Sequence, residues 1–134
     1  VATEKGLLVP VVRDADQKSV GTIRRELRDL VSRARSGQLT ADDMVGATFT
    51  ISNLGAYGSV DFFTPIINQP ESAILGVGRT VDTPVVVNGQ VAVRPMMGLS
   101  LSYDHRLIDG AVAAEFIADF MKKLAQPMQT VLLG

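Results

Sequence analysis

The sequence predicts an α+β fold, in which an open mixed β-sheet carries its helices on one face. Predicted strands outnumber predicted helices, and the two do not alternate regularly as they do in doubly wound parallel folds. The length of 134 residues suits one domain or part of one. Apolar residues make up 46% of the chain and the mean hydropathy is +0.22, which is high for a short chain and predicts surface buried against another molecule.

The first part of the chain predicts a strand followed by a helix. The apolar run LLVPVV (7–12) is typical of a strand, and Pro10 places it at a sheet edge or bulge because proline donates no ladder hydrogen bond. Ser19 can cap a helix that runs to about Ser36 and is closed by Gly37. Helical spacing predicts that its buried stripe consists of Ile23, Leu27, Leu30, Val31 and Ala34.

The second part predicts most of the sheet and a second helix. Strands are predicted for ATFTIS (47–52), SAILGVG (72–78) and MGLSLSY (97–103). PVVVNGQVAVR (84–94) predicts a hairpin, because Asn88 and Gly89 suit the positive φ angles of a tight turn. A helix is predicted over AVAAEFIADFMKKLA (111–125), with a core face of Val112, Phe116, Ile117, Phe120, Met121 and Leu124.

Composition excludes several classes of function. The 13 basic and 14 acidic residues nearly balance, which disfavours binding to nucleic acid or to an anionic membrane surface. The chain has no cysteine, so it predicts no disulfide framework or thiolate metal site. Its single histidine argues against a zinc site, while a metal site built from carboxylates stays open. No apolar run reaches the ~18 residues of a transmembrane helix, and the first residues lack the features of a signal peptide.

The only histidine, His105, lies in SLSYDHRLIDG (100–110) between a predicted strand and a predicted helix. One interpretation is structural: Asp109 caps the helix, and Asp104 and Arg106 form a solvated ion pair beside a loop histidine. The other is catalytic, because imidazole is the side chain that most readily takes and returns a proton near neutral pH. The residues alone leave both interpretations open.

Four blocks of the chain resemble the catalytic domain of one family. They are VATEKGLLVPVVRDAD, GATFTISNLGAYGSVDFFTPIINQPESAILGVG, RPMMGLSLSYDHR and LSLSYDHRLIDGAVAAEFI, in family order and over nearly the whole chain. The family is that of the dihydrolipoamide acyltransferases, the E2 core components of 2-oxo acid dehydrogenase complexes. The resemblance implies the latter, C-terminal part of such a domain, with the fold of the CoA-dependent acyltransferases.

The resemblance also implies a reaction and a set of site residues. The reaction is acyl transfer between dihydrolipoamide, carried on a lipoyl domain, and the thiol of coenzyme A. His105 matches the general base and Ser52 the hydroxyl that stabilises the oxyanion. Asp109 matches a second acidic position, with an ionic and capping role that holds the histidine loop. Asn53 and Gly55 match a turn that admits substrate. The residue-level alternatives are a strand-end hydroxyl for Ser52 and a purely structural turn for Asn53 and Gly55.

The resemblance predicts an incomplete polypeptide that works in an assembly. The lipoyl and peripheral-subunit-binding domains, and the front of the catalytic domain, are expected to be absent. The expected partners are further copies in a homotrimer that joins a larger core, with the active site between neighbouring copies, and the E1 and E3 components. The apolar tail QPMQTVLLG (126–134) is expected to join trimers or to pack on its own sheet. The expected compartment is bacterial cytoplasm, or the mitochondrial matrix of a eukaryote.

Several alternatives remain beside this interpretation. The arginines of the first helix could meet CoA phosphates, although a solvated helix face is favoured. Leu54 stands where succinyl-transferring members have a second glycine, which favours an acetyl or a branched-chain acyl group. The chain could also be an inactive scaffold fragment. A carrier-protein condensation domain shares the motif but usually has a second histidine where this chain has Asp104.

Overall fold

The computed structural model describes residues 1–128 and divides them into two compact units. One unit contains residues 1–47 and the end of the last helix from Met121 onward, and the other contains residues 48–120. The part of the predicted C-terminal tail from residue 129 to 134 lies outside the described residues.

The first unit contains a small two-stranded sheet and the first helix. Strands β1 (Ala2–Thr3) and β2 (Gly6–Leu7) pair antiparallel. Strand β2 ends at Leu7, and the amide of Leu8 continues its pairing by donating to the carbonyl of Val1 at 3.0 Å. The strand predicted over 7–12 is wrong beyond Leu8, where the amide of Val11 instead donates to the carbonyl of Asp43 at 2.8 Å. Two 3₁₀ turns, Ala15–Gln17 and Ala41–Met44, complete this unit.

Helix α1 (Val20–Arg35) confirms the predicted cap and end. The Ser19 hydroxyl accepts a hydrogen bond from the amide of Thr22 at 3.2 Å, and Gly37 takes the positive φ of 71° that closes many helices. Leu30 and Ala34 of the predicted stripe are buried. Leu27 is 46% exposed, so the stripe is only partly covered.

Arg33 is an α1 arginine whose guanidinium is engaged in ion pairs within the chain. Its guanidinium donates to both carboxylate oxygens of Asp43, at 2.7 and 2.9 Å, and to Asp29 at 2.9 Å. These bonds raise the pKa of Arg33 and hold the pKa of Asp43 well below its usual range. Asp43 also accepts from the amide and hydroxyl of Thr40. Arg33 therefore fastens α1 to the following turn, in agreement with the structural interpretation.

The second unit contains the main sheet, which confirms the predicted mixed topology. Its strands are β3 (Thr50–Asn53), β4 (Ala73–Val87) and β5 (Gln90–Tyr103), with β4 in the centre. Strand β3 pairs parallel to β4, and β5 pairs antiparallel to it. The four segments predicted over 72–103 merge into two long strands, because a register shift between Val77 and Thr80 lets pairing continue. Asn88 and Gly89 form the predicted turn, with φ of 51° and 78°.

Helix α2 (Gly110–Ala125) forms where predicted, but its predicted core face is only partly covered, since Ile117 and Phe120 are half-buried and the other four residues are exposed. Ala113 is the buried residue of the helix, whereas Val112 and Phe116 are 54% and 46% exposed. Phe116 does contact the rings of Phe49 and Phe120, at centroid distances of 5.8 and 6.5 Å. Helical periodicity shows that a helix has an apolar face, but it does not say whether this chain supplies the surface that covers it.

Within residues 1–128, no helix is long and apolar enough to cross a membrane. The same residues contain no group of three or more histidine, cysteine, aspartate or glutamate side chains placed to hold a metal ion.

Candidate active site

His105 lies in a tight turn directly after the last strand. The amide of Asp104 donates to the carbonyl of Ser72 at 2.8 Å, which ties the start of the turn to the residue before β4. The amides of Leu107 and Ile108 both donate to the carbonyl of Asp104 at 3.0 Å. The backbone on both sides of His105 is therefore held, while its side chain is exposed.

Asp104 and Arg106 form the ion pair that the sequence predicts. The Arg106 guanidinium donates to the carboxylate oxygens at 2.6 and 2.9 Å, and the Arg106 amide donates to the same carboxylate at 3.0 Å. These bonds lower the pKa of Asp104 to about 2 and raise the pKa of Arg106. The pair joins the two residues that flank His105. Its Arg106 side chain is 84% exposed, whereas its Asp104 side chain is only 20% exposed.

The ion pair of Asp104 is expected to stabilise the folded chain by an amount that depends on pH. Because the folded pKa of Asp104 is depressed, the contribution is present above the unfolded pKa of 3.8 and is lost as pH falls through about 2. We expect Asp104→Asn to lower the midpoint of thermal unfolding at pH 5 to 7, with the difference from wild type shrinking toward pH 2. Asp82→Asn serves as control, because Asp82 is exposed and pairs with no cation in residues 1–128. A difference that is constant from pH 7 to 2 would contradict the prediction.

Tyr103 is a neighbour of His105 that the sequence argument did not single out. The two rings lie 5.7 Å apart between centroids at an interplanar angle of 38°. The Tyr103 hydroxyl lies beside Gly110, 3.7 Å from the place that a Cβ would occupy there. The tyrosine thus spans from the histidine loop to the start of α2. Its place as the last residue of the predicted strand, two residues before His105, is the signal that could have found it.

Asp109 is the N-terminal cap of α2. Its carboxylate accepts from the amide of Val112 at 3.0 Å, and its carbonyl accepts from the amide of Ala113 at 3.1 Å. No lysine or arginine pairs with Asp109 within residues 1–128, so the structure shows the capping part of its expected role and not the ionic part.

We expect Asp109→Ala to lower the free energy of unfolding by about 1 kcal/mol, because one amide at the start of α2 loses its acceptor. Denaturant unfolding measures this loss, and Asp109→Asn is the matched control because an amide oxygen can cap equally well. A loss as large in the asparagine variant would mean that the charge of Asp109, rather than the cap, stabilises the helix.

Ser52 lies in β3 on a face of the sheet that is lined by hydroxyl groups. The register pairs Ser52 with Gly76 and Gly76 with Ser100, and side chains of directly paired residues point to the same face. Thr50 and Ser102 share this face by alternation. The ring of Phe63 lies over Gly76, since a Cβ there would be only 3.0 Å from its Cζ.

Asn53 and Gly55 shape the turn that follows Ser52. The Asn53 side-chain oxygen accepts from the amide of Gly55 at 2.9 Å, and the amide of Leu54 donates to Val77 at 3.1 Å. A Cβ on Gly55 would overlap the carbonyl oxygen of Gly78. Both predicted substrate-binding residues therefore have a structural task in this turn.

We expect Gly55→Ala to destabilise the protein by about 1–3 kcal/mol, because its methyl group would collide with the backbone of β4. Gly21→Ala in α1 is the matched control, since the nearest atom lies 3.8 Å away and alanine favours helix. The midpoint of denaturant unfolding measures both variants. Equal stability of the two would show that the turn at Gly55 can open without cost.

Ser52 and the histidine loop do not meet within one chain. Tyr103 is three residues beyond Ser100 on β5, so its side chain points to the opposite face from Ser52. The register separates Ser52 from Tyr103 by roughly 10 Å along the strands and roughly 10 Å across them. The contact of His105 with Tyr103 carries the imidazole away from the Ser52 hydroxyl.

Comparison with known proteins decides the family. The family model described as 2-oxoacid dehydrogenases acyltransferase (catalytic domain) matches residues 1–132. The chain belongs to this family. This membership excludes the alternative of a carrier-protein condensation domain. The expected family and fold class are confirmed.

Individual relatives agree with this membership. The chain is 51% identical over 132 residues to the dihydrolipoyllysine-residue succinyltransferase component of the 2-oxoglutarate dehydrogenase complex of Bartonella vinsonii subsp. berkhoffii. It superposes with a TM-score of 0.92 and 49% identity on the dihydrolipoamide acetyltransferase of Azotobacter vinelandii. The TM-score is also 0.92, with 48% identity, for the cubic core of a pyruvate dehydrogenase multienzyme complex.

The chain corresponds to only part of these acyltransferases. The matches cover 98% of this chain, but 32% of the Bartonella protein and 54% of each of the two solved chains.

Proposed function

We propose that this chain is the latter part of an E2 catalytic domain, residues 1–134, that transfers an acyl group between dihydrolipoamide and coenzyme A. The observation that carries the proposal is the family match over residues 1–132, which includes both His105 and Ser52. Lipoyl and peripheral-subunit-binding domains are proposed to lie outside this chain, and the lipoyl group and CoA act as substrates. No metal is needed.

The proposed chemistry uses a thiol, a thioester and two side chains. The His105 imidazole removes the proton from the attacking thiol, which is mostly protonated near neutral pH. The resulting thiolate forms a bond to the thioester carbonyl carbon, and the Ser52 hydroxyl donates to the oxyanion. Collapse of this intermediate breaks the other C–S bond, and the leaving thiolate takes its proton back from His105. Atoms and charge balance, and the base is regenerated.

We propose further that each active site forms between two copies. The support is the sheet register, which directs Ser52 and the Tyr103–His105 pair of one chain to opposite faces. His105 of one copy can then meet Ser52 of its neighbour in a closed ring.

The structure determined for Azotobacter vinelandii concerns a serine, a histidine and an asparagine in catalysis, and its histidine and asparagine are four residues apart, as His105 and Asp109 are.

A homotrimer that joins a larger core suits the exposed apolar side chains of this chain. Val86, Val91 and Val93 of the β4–β5 hairpin are each more than 60% exposed, and apolar patches of this kind mark association surfaces. Assembly with E1 and E3 components is part of the proposal. Its setting is bacterial cytoplasm, or the mitochondrial matrix if the source is a eukaryote.

The acyl group is proposed to be acetyl or branched-chain. Leu54, which is half-buried in the turn after Ser52, stands where succinyl-transferring members are expected to have a second glycine. The Bartonella relative, which transfers succinyl groups by name, makes succinyl the alternative to be tested.

The test is acyl transfer to free dihydrolipoamide by the assembled protein that carries these residues. Acetyl-, isobutyryl- and succinyl-CoA are compared as donors, with His105→Ala in parallel. Turnover that the variant loses supports the enzyme, and the preferred donor identifies the acyl group. An assembled wild-type protein with no turnover on any donor would overturn the proposal in favour of an inactive scaffold fragment, which the exposed apolar residues favour as the second candidate.

A further inference from the structure

Glu71 is a buried carboxylate that the proposed chemistry does not use. Glu71 is 8% exposed and lies in the loop that connects β3 to β4, two residues before β4 begins. One carboxylate oxygen, Oε1, accepts from the Thr50 hydroxyl at 2.9 Å and from the Asn68 side-chain amide at 3.1 Å. The other oxygen, Oε2, is buried without a hydrogen-bond partner among residues 1–128.

This arrangement is poorly suited to a residue that serves stability alone. Burying a polar oxygen without a partner costs free energy, and no lysine or arginine in the described part of the chain forms an ion pair with Glu71. Polar groups kept at such a cost are expected at functional sites.

Glu71 contacts the strand that carries Ser52, and the residue after it is bonded to the loop that carries His105. Thr50 stands two residues before Ser52 in β3, so the two side chains share one face of the sheet and Glu71 holds Thr50 on the serine side. The next residue, Ser72, accepts the hydrogen bond from the Asp104 amide that begins the His105 loop. Residues 71 and 72 are therefore bonded to the strand that carries Ser52 and to the loop that carries His105.

We infer that Glu71 is a positioning residue that fixes Ser52 through Thr50. The inference rests on the proposed function, because it assigns Glu71 to the same reaction. Both partners of Oε1 are neutral donors, so what positions Thr50 is an acceptor oxygen at this place and not the negative charge. An amide oxygen at the same place serves equally.

Three variants test the inference in the assembled protein. We expect Glu71→Ala to lower kcat by about 10- to 100-fold and Thr50→Val by about 10-fold, because small displacements of a catalytic group are costly. Glu71→Gln, which keeps the acceptor, should stay within about 3-fold of wild type, and KM for acyl-CoA should change little in all three. Glu115→Gln, an exposed glutamate of α2, is the matched control and should leave kcat unchanged.

A double variant separates positioning of Ser52 from general loosening of the fold. If Thr50 acts through Ser52, then Thr50→Val should cost less than about 2-fold when added to Ser52→Ala, although it costs about 10-fold in the wild-type background. Independent, multiplicative losses would overturn the inference. Unchanged kcat in assembled Glu71→Ala and Thr50→Val would overturn it as well, and so would a Glu71→Gln variant as slow as Glu71→Ala.

The two proposals fail in different ways. A wild-type protein that turns over while the Glu71 and Thr50 variants match it contradicts only the positioning role. A wild-type protein without turnover contradicts the proposed function itself. Should Glu71→Ala fail to assemble, Thr50→Val and its double variant decide the question, because valine preserves the shape of threonine and favours a strand.

Discussion

Replacing His105 by alanine is expected to lower kcat for acyl transfer by about 10²- to 10⁴-fold, because the attacking thiol loses its general base. The fold should be unaffected, since the His105 side chain is exposed and the turn is held by the backbone of Asp104 and the guanidinium of Arg106. Steady-state turnover of acyl-CoA with dihydrolipoamide measures the effect. The midpoint of thermal unfolding checks the fold.

The pH profile gives the sharper test of the role of His105. If His105 is the general base, the pH profile of kcat/KM should change in His105→Ala, because the residual rate of the variant then follows the ionisation of the thiol alone. Leu107→Ala, an exposed change in the same turn, serves as control and should keep the wild-type profile. A His105→Ala enzyme that is slower but keeps that profile would mean that the histidine positions substrate and is not the base.

Ser52→Ala is expected to lower kcat by about 10²- to 10³-fold, because the oxyanion loses its hydrogen-bond donor. KM should change little, since the hydroxyl binds the transition state more strongly than the substrate. Ser100→Ala is the matched control, because Ser100 carries a second hydroxyl on the same face of the sheet. Gly76 pairs with Ser52 on one side and with Ser100 on the other. Equal losses in both variants would assign the effect to the polar face as a whole.

The two variants together test whether sites form between copies. Co-expression of His105→Ala and Ser52→Ala chains in equal amounts should recover about a quarter of wild-type activity if each site takes one residue from each of two neighbours in a ring. Sites built within one chain would recover nothing. Doubly substituted chains co-expressed with wild type provide the control, with about a quarter recovered for sites between copies and about half for sites within one chain.

Local features of the structure could be predicted from the sequence because short stretches determine them. The Ser19 and Asp109 caps, the Gly37 end of α1 and the Asn88–Gly89 turn each depend on a few neighbouring residues. The Asp104–Arg106 pair and its place beside His105 are local in the same way.

Other predictions failed because they needed contacts between distant residues. The separate segments over 72–103 became two continuous strands because the long β4–β5 pairing spans the register shift. The apolar face of α2 is largely exposed because periodicity does not identify a covering surface. Residues 9–12 are not a strand because no strand within residues 1–128 pairs with them.

By itself, the sequence determined the family, the mixed α+β class and the candidate residues His105, Ser52 and Asp109, because these lie in contiguous motifs. Only the tertiary structure decided which of them share a face of the sheet and which residues support them. The direction of Ser52 away from Tyr103 follows from strand register, and the burial of Glu71 against Thr50 joins residues 21 positions apart. Such relations depend on the pairing and packing of distant segments, which a local pattern does not contain.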